Sequence, residues 1–112
     1  MSEAGPRRIW LCADDYGISP GVNRAIRELL AMGRINATSV MMVGPAIGRD
    51  EVKALTTAAE AQPGAAIGLH VTLTAPFYPL SLHFAPLAGG MFLPLAKKLQ
   101  SSLLRRYDRE IV

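Results

Sequence analysis

Three side chains of this 112-residue chain have the types and positions that chemistry needs. Asp14 and Asp15 are adjacent at the end of one apolar run, and His70 lies within another. Two adjacent carboxylates facing an imidazole from a different strand suit a divalent metal ion, with one carboxylate and the imidazole as ligands and the other carboxylate as base. Each residue also has a plainer use. Asp-Asp after a strand is often a turn and helix-cap device, and a strand histidine is often a satisfied core residue. The elements that carry the three decide between these uses.

Arg8 to Ala13 is a short apolar run that ends in Asp14-Asp15-Tyr16-Gly17, as a buried strand entering a loop would. Ser19 followed by Pro20 signals a helix start: a hydroxyl cap, then a proline whose missing N–H costs nothing at the first position. Val22, Ala25, Ile26, Leu29 and Leu30 recur at helical spacing and mark a buried face, and Gly33 supplies the stop. Ala37 to Val43 predicts a second strand, broken by Gly44-Pro45. Asp50 to Ala61, with Val52, Leu55 and Ala59 on one face and Pro63-Gly64 behind it, predicts a second helix. Ile67 to Thr74 alternates almost strictly, with Ile67, Leu69, Val71 and Leu73 on one face and Gly68, His70, Thr72 and Thr74 on the other. The prolines and glycines from Ala75 to Pro94 predict a long loop of the kind that is often functional, and Leu95 to Tyr107 predicts a closing helix.

Strand, helix, strand, helix, strand is the order of an α/β protein, a parallel βαβαβ unit with right-handed crossovers. Active sites in such sheets gather at the carboxyl ends of the strands, where Asp14, Asp15 and His70 are expected. The first and third strands, separated by the second, lie about 9.6 Å apart in a flat sheet, a gap that side chains barely span. Curvature toward a barrel brings alternate strands onto one interior layer, letting Asp15 and His70 converge, and Gly68 leaves room there.

Composition narrows the class. Half of the residues are hydrophobic and 19% are charged, which argues for one packed domain and against disorder. A lone cysteine, Cys12, excludes an internal disulfide and makes a reducing, cytoplasmic setting the expectation. The run Ile9 to Ala13 is too short for a signal-peptide core, and no stretch is long enough to span a membrane, so a soluble chain is expected. The net charge of +3 raises the question of nucleic acid, but the clustered cations Lys97, Lys98, Arg105, Arg106 and Arg109 are interrupted by Asp108 and Glu110 and not interleaved with aromatics. They predict a solvated helix face rather than a phosphate-binding surface. Asn36-Ala37-Thr38 forms a glycosylation sequon by chance. Trp10, Cys12, Met41 and Met42 are assigned to the core.

In order along the chain, Ala13-Asp14-Asp15-Tyr16-Gly17-Ile18-Ser19-Pro20-Gly21-Val22-Asn23, Ala37-Thr38-Ser39-Val40-Met41, Gly44-Pro45-Ala46 and Ile67-Gly68-Leu69-His70-Val71-Thr72-Leu73-Thr74 resemble the YdjC-like carbohydrate deacetylases, which include chitooligosaccharide deacetylases and hopanoid-associated relatives. The resemblance implies a deformed (β/α) barrel that hydrolyses the acetyl group from an N-acetylated sugar with a divalent ion, usually Mg2+, with Zn2+ or another divalent ion as the alternative. Asp15 and His70 match the family's metal ligands, and Asp14 matches its general base.

One departure concerns length. Members reach the size of a full barrel, roughly 250 residues, and carry a later histidine-rich stretch that supplies a further ligand. The chain is therefore expected to be the N-terminal part of such a barrel, a single domain over residues 1–112, and inactive as a fragment. His83, the only other histidine, lies outside the family's ligand motif and is expected on a surface or loop. Tyr16 is a candidate to flank a sugar, with an ordinary loop position as the alternative, and Asn23 and Thr72 are candidates for supporting hydrogen bonds. An open sheet edge and uncovered apolar faces also support a different kind of function, a catalytically silent half-barrel that self-associates or binds a partner.

Overall fold

The computed structural model describes residues 5–104. It has two compact units, which divide between His70 and Val71. The first holds β1 (Cys12–Tyr16), α1 (Pro20–Ala31), β2 (Ala37–Val40), α2 (Arg49–Glu60) and β3 (Ala66–Leu69). Its sheet has the order β1-β2-β3, and both pairings are parallel. This is the predicted α/β arrangement, a parallel βαβαβ unit.

The ends of α1 follow from its sequence. The Ser19 side chain accepts from the backbone N–H of Val22, Pro20 opens the first turn, and Gly33 leaves the helix at φ +66°. The buried face is Asn23, Ile26 and Leu30, while Val22 and Ala25 are exposed. The predicted stripe is thus rotated, because Asn23 takes an interior place to tie two loops together. Tyr16, Ile26, Leu30, Ile35, Val40 and Leu55 form the core between the helices and one face of the sheet.

The strands end where their partners do. Met41 donates its N–H to Tyr16 O and the chain then turns, Gly44 N–H bonding to Met41 O, so β2 stops at Val40 rather than Val43. His70 donates its N–H to Val40 O as the last rung for β3, which ends at Leu69 rather than Thr74. Upstream of β1, the Asn36 side chain accepts from Leu11 N–H and donates to Ile9 O, and the last backbone bonds to β2 are those that Leu11 O accepts from Asn36 and Ala37. Ile9, Trp10 and Leu11 are therefore outside the sheet and exposed, contrary to the core assignment for Trp10. Cys12 is also exposed, on the polar face of an edge strand beside Asp14. Of the two methionines, Met41 is buried and Met42 is exposed at the turn.

Tyr16 is fully buried. Its hydroxyl lies 2.8 Å from the Glu51 carbonyl oxygen and 2.9 Å from Glu51 Oε2, and accepts from Arg27 Nη1, which also pairs with Glu51. The Tyr16 hydrogen bond, with Arg27 beside it, holds the Glu51 carboxyl below its ordinary value. A carboxylate depressed in the folded state adds stability that is present above its unfolded pKa, about 4.3, and is lost as pH falls through the lower folded value. Urea unfolding at pH 7 and pH 3 is expected to show a smaller acid-induced loss for Glu51→Gln than for the wild-type chain. An equal loss in both would contradict this linkage.

The second unit holds β4 (Leu87–Ala88), β5 (Met91–Phe92) and α3 (Leu95–Leu103). The segment expected as a loop contains a hairpin: Gly89 and Gly90, at φ +59° and +79°, provide the two positive φ values of a tight primed turn. Phe84 and Phe92 meet edge to face at 5.1 Å, and Lys98 Nζ sits 4.7 Å from the Phe84 ring centroid and 5.5 Å from that of Phe92. Lys98 is buried, which corrects its placement on a solvated helix face: its charge is held against ring faces, and burial pushes its pKa down. Lys97 is exposed as expected. Arg105, Arg106, Arg109 and the end of the predicted helix to Tyr107 lie outside the described residues.

Candidate functional site

The site begins with an irregularity in β1. Cys12 pairs with Ala37 and Ala13 with Thr38, but the next pair is Tyr16 with Val40. Two residues, Asp14 and Asp15, therefore stand opposite one, Ser39, which is the arrangement of a β-bulge. Adjacent strand residues ordinarily point to opposite faces. Here Asp15 adopts φ +69°, and the bulge lets both carboxylates reach the face that carries Ser39 and His70. Tyr16 resumes the alternation and points to the helices, so it cannot lie against a sugar as considered above.

Ser39 pairs with Gly68 on β3, and His70 follows two residues later on the same side. A Cβ on Gly68 would meet only Thr38 O at 3.9 Å, so the space expected beside His70 is present. Across this face Asp15 Oδ1 lies 3.1 Å from His70 Nδ1. The Ser39 hydroxyl donates to Asp14 Oδ1 at 2.6 Å and lies 3.2 Å from the same His70 nitrogen. The Cys12 thiol reaches Asp14 Oδ1 at 3.6 Å. The structure thus joins Asp14, Asp15 and His70 across a three-stranded sheet whose first strand carries a bulge.

The loops behind this face are locked. Gly17 donates its N–H to Asn23 Oδ1 at 2.6 Å, and Asn23 Nδ2 donates to Ala46 O at 2.9 Å. Ala46 N–H bonds back to Gly17 O at 2.8 Å, and Ile18 N–H bonds to Asp15 O at 3.1 Å. Asn23 supports the loops after β1 and β2 in this way, without touching the three site residues.

The site is open to solvent, with the His70 side chain 34% and the Asp15 side chain 46% exposed. The Ser39 hydrogen bond, and then the Cys12 thiol, hold the Asp14 carboxyl below its ordinary value, so it is ionised at neutral pH. Asp15 and His70 offer an oxygen and a nitrogen donor 3.1 Å apart, within the span of about 3.0 Å (octahedral) to about 3.4 Å (tetrahedral) that neighbouring ligands adopt at ligand distances near 2.1 Å. The donor set therefore fits a divalent ion as a pair of ligands. Among the described residues no group of three or more His, Cys, Asp or Glu is arranged to hold one. His83 is exposed in a turn of the second unit, where its N–H bonds to Ser81 Oγ.

Ser39 had no role in the sequence reading beyond its place in the motif. A signal was present: a polar residue inside the apolar run Ala37 to Val43, two positions from Ala37 and on the alternate face to Val40.

A parallel α/β unit that presents paired carboxylates and an imidazole at the carboxyl ends of its strands is now defined. The chain belongs to the YdjC-like family: the family model described as YdjC-like protein matches residues 8–111. Membership implies, at the level of the family, a hydrolase of the carbohydrate deacetylase kind. Comparison with curated proteins and with solved structures gave no match. No helix among the described residues is long and apolar enough to cross a membrane.

Proposed function

We propose that these strands begin a (β/α) barrel that removes the acetyl group from an N-acetylated sugar, with Asp15 and His70 as ligands to a divalent ion, Mg2+ or else Zn2+, and Asp14 as general base. The observation that carries this reading is the 3.1 Å approach of Asp15 to His70 beside an Asp14 already fixed by Ser39. When bound, such an ion supplies Lewis acidity toward a water and an acyl carbonyl.

The chain's own residues do the rest. Asp14 Oδ1 is engaged by Ser39 and Cys12, which leaves Oδ2 to take a proton from the attacking water. The water oxygen adds to the acetyl carbon, the C–N bond breaks, and the nitrogen takes up the proton that Asp14 received from the water, so that acetate and a free amine leave and Asp14 is again ionised. Asp15 and His70 remain in place because the bulge and the loop hydrogen bonds hold their backbones. Catalytic ions usually have about three protein ligands and an open position, so a further donor joins this pair from outside the cluster.

In a chain that carries the further metal ligand, incubation with an N-acetylglucosamine oligomer and Mg2+ is expected to release acetate and free amine in equal amounts, and a chelator is expected to stop it. Absence of release by a chain that binds the ion would count against the reading. The exposed Ile67 and Leu69 of β3, with Val40, Met42, Val52 and Leu55 around a groove of about 280 Å3, favour a second reading, the silent half-barrel covered by another copy or a partner. Sedimentation over a range of concentrations tests it: a growing mass without acetate release would favour it over catalysis.

A further inference from the structure

Ser39 is the one side chain of the middle strand that links the groups of the two outer strands. Its hydroxyl has a single proton, and at 2.6 Å from Asp14 Oδ1 that proton is given to the carboxylate. The same oxygen lies 3.2 Å from His70 Nδ1. Asp14 stands in a bulge on an edge strand, is exposed, and has only the weak Cys12 thiol contact besides. Nothing else among the described residues holds its carboxylate at a fixed angle to His70.

From this geometry we infer that Ser39 is a positioning residue: it fixes the Asp14 side chain so that its free oxygen faces the point that Asp15 and His70 share. The inference rests on the proposed role of Asp14 as base, but its structural half stands apart from activity. A hydroxyl is what the position requires. Alanine leaves the carboxylate to rotate, whereas threonine restores the donor and suits a strand.

Two measurements test this, the first on the 112-residue chain and the second on a chain that also carries the further metal ligand. The first is the χ1 angle of Asp14 from NMR couplings in the metal-free protein. A single rotamer is expected in the wild-type chain and in Ser39→Thr, and an averaged one in Ser39→Ala with backbone shifts elsewhere unchanged. An Asp14 equally fixed in Ser39→Ala overturns the proposal. The second is kinetic, with an N-acetylglucosamine oligomer. Ser39→Ala is expected to lower kcat by about 10- to 100-fold, as loss of alignment does, with KM and Mn2+ binding within about two-fold, and Ser39→Thr to recover most of kcat. Weakened Mn2+ binding matching that of His70→Ala would overturn the proposal by making Ser39 a ligand, and an unchanged kcat in Ser39→Ala would overturn it as well. If the wild-type chain that carries the further ligand releases no acetate, the deacetylase reading fails, while the rotamer result still decides the role of Ser39.

Discussion

Asp14→Asn is expected to lower kcat for acetyl removal by about 100- to 10,000-fold, the range for loss of a general base, while leaving divalent-ion binding nearly unchanged. The amide is isosteric and its oxygen can still accept from Ser39, so the surroundings persist. What is lost is the capacity to accept a proton from water. Asp15 and His70, which meet at 3.1 Å without Asp14, keep their arrangement. Steady-state kinetics together with Mn2+ titration separate the two effects. Retained activity would move the base to another residue, and a loss of ion binding equal to that of Asp15→Ala would make Asp14 a ligand.

Asn23→Ala is expected to be the most damaging substitution away from the site. Asn23 is fully buried, and its removal strips Gly17 N–H and Ala46 O of their partners at once. An orphaned buried polar group costs about 1–3 kcal/mol, so about 3 kcal/mol is expected in total. In a domain of this size that lowers Tm by roughly 12–24 °C. Gly44→Ala should act on the same contact from the other side, since a Cβ there would stand 2.3 Å from Gly17 O, a backbone atom that cannot swing away. Both substitutions loosen the loop that follows Asp15, and ion binding is expected to weaken with stability. Thermal unfolding and Mn2+ titration of the two variants check this, and a Tm within 3 °C of wild type for Asn23→Ala, well under the roughly 4–8 °C that 1 kcal/mol represents, would contradict it.

Much of the fold was legible because the signals were local. Ser19-Pro20 and Gly33 frame α1, Pro63-Gly64 follow α2, and the apolar runs between them place three parallel strands in order. Strand ends were displaced by several residues, because a ladder stops where the partner turns, as β2 does at Met41 to Gly44, and no single segment records that. The bulge escaped notice for a related reason: a period of two describes a strand alone, whereas a bulge exists only in the pairing of β1 with β2. Its effect is large, since it lets Asp14 and Asp15 share a face and sends Tyr16 into the core. The hairpin at Leu87 to Phe92 did have a signal, Gly89-Gly90 between short apolar pairs, hidden in a segment whose prolines and glycines described a loop equally well. For the site, residue types identified Asp14, Asp15 and His70, but Ser39 needed the register that sets it between them.

Titration of the 112-residue chain with Mn2+ by calorimetry, repeated on Asp15→Ala, His70→Ala and His83→Ala, tests the central claim most directly. One weakly held ion per chain is expected from the pair of ligands, lost in Asp15→Ala and in His70→Ala and kept in His83→Ala. Binding that survives both of the first two substitutions, or a folded chain that binds no ion, would contradict the claim that Asp15 and His70 form a metal site.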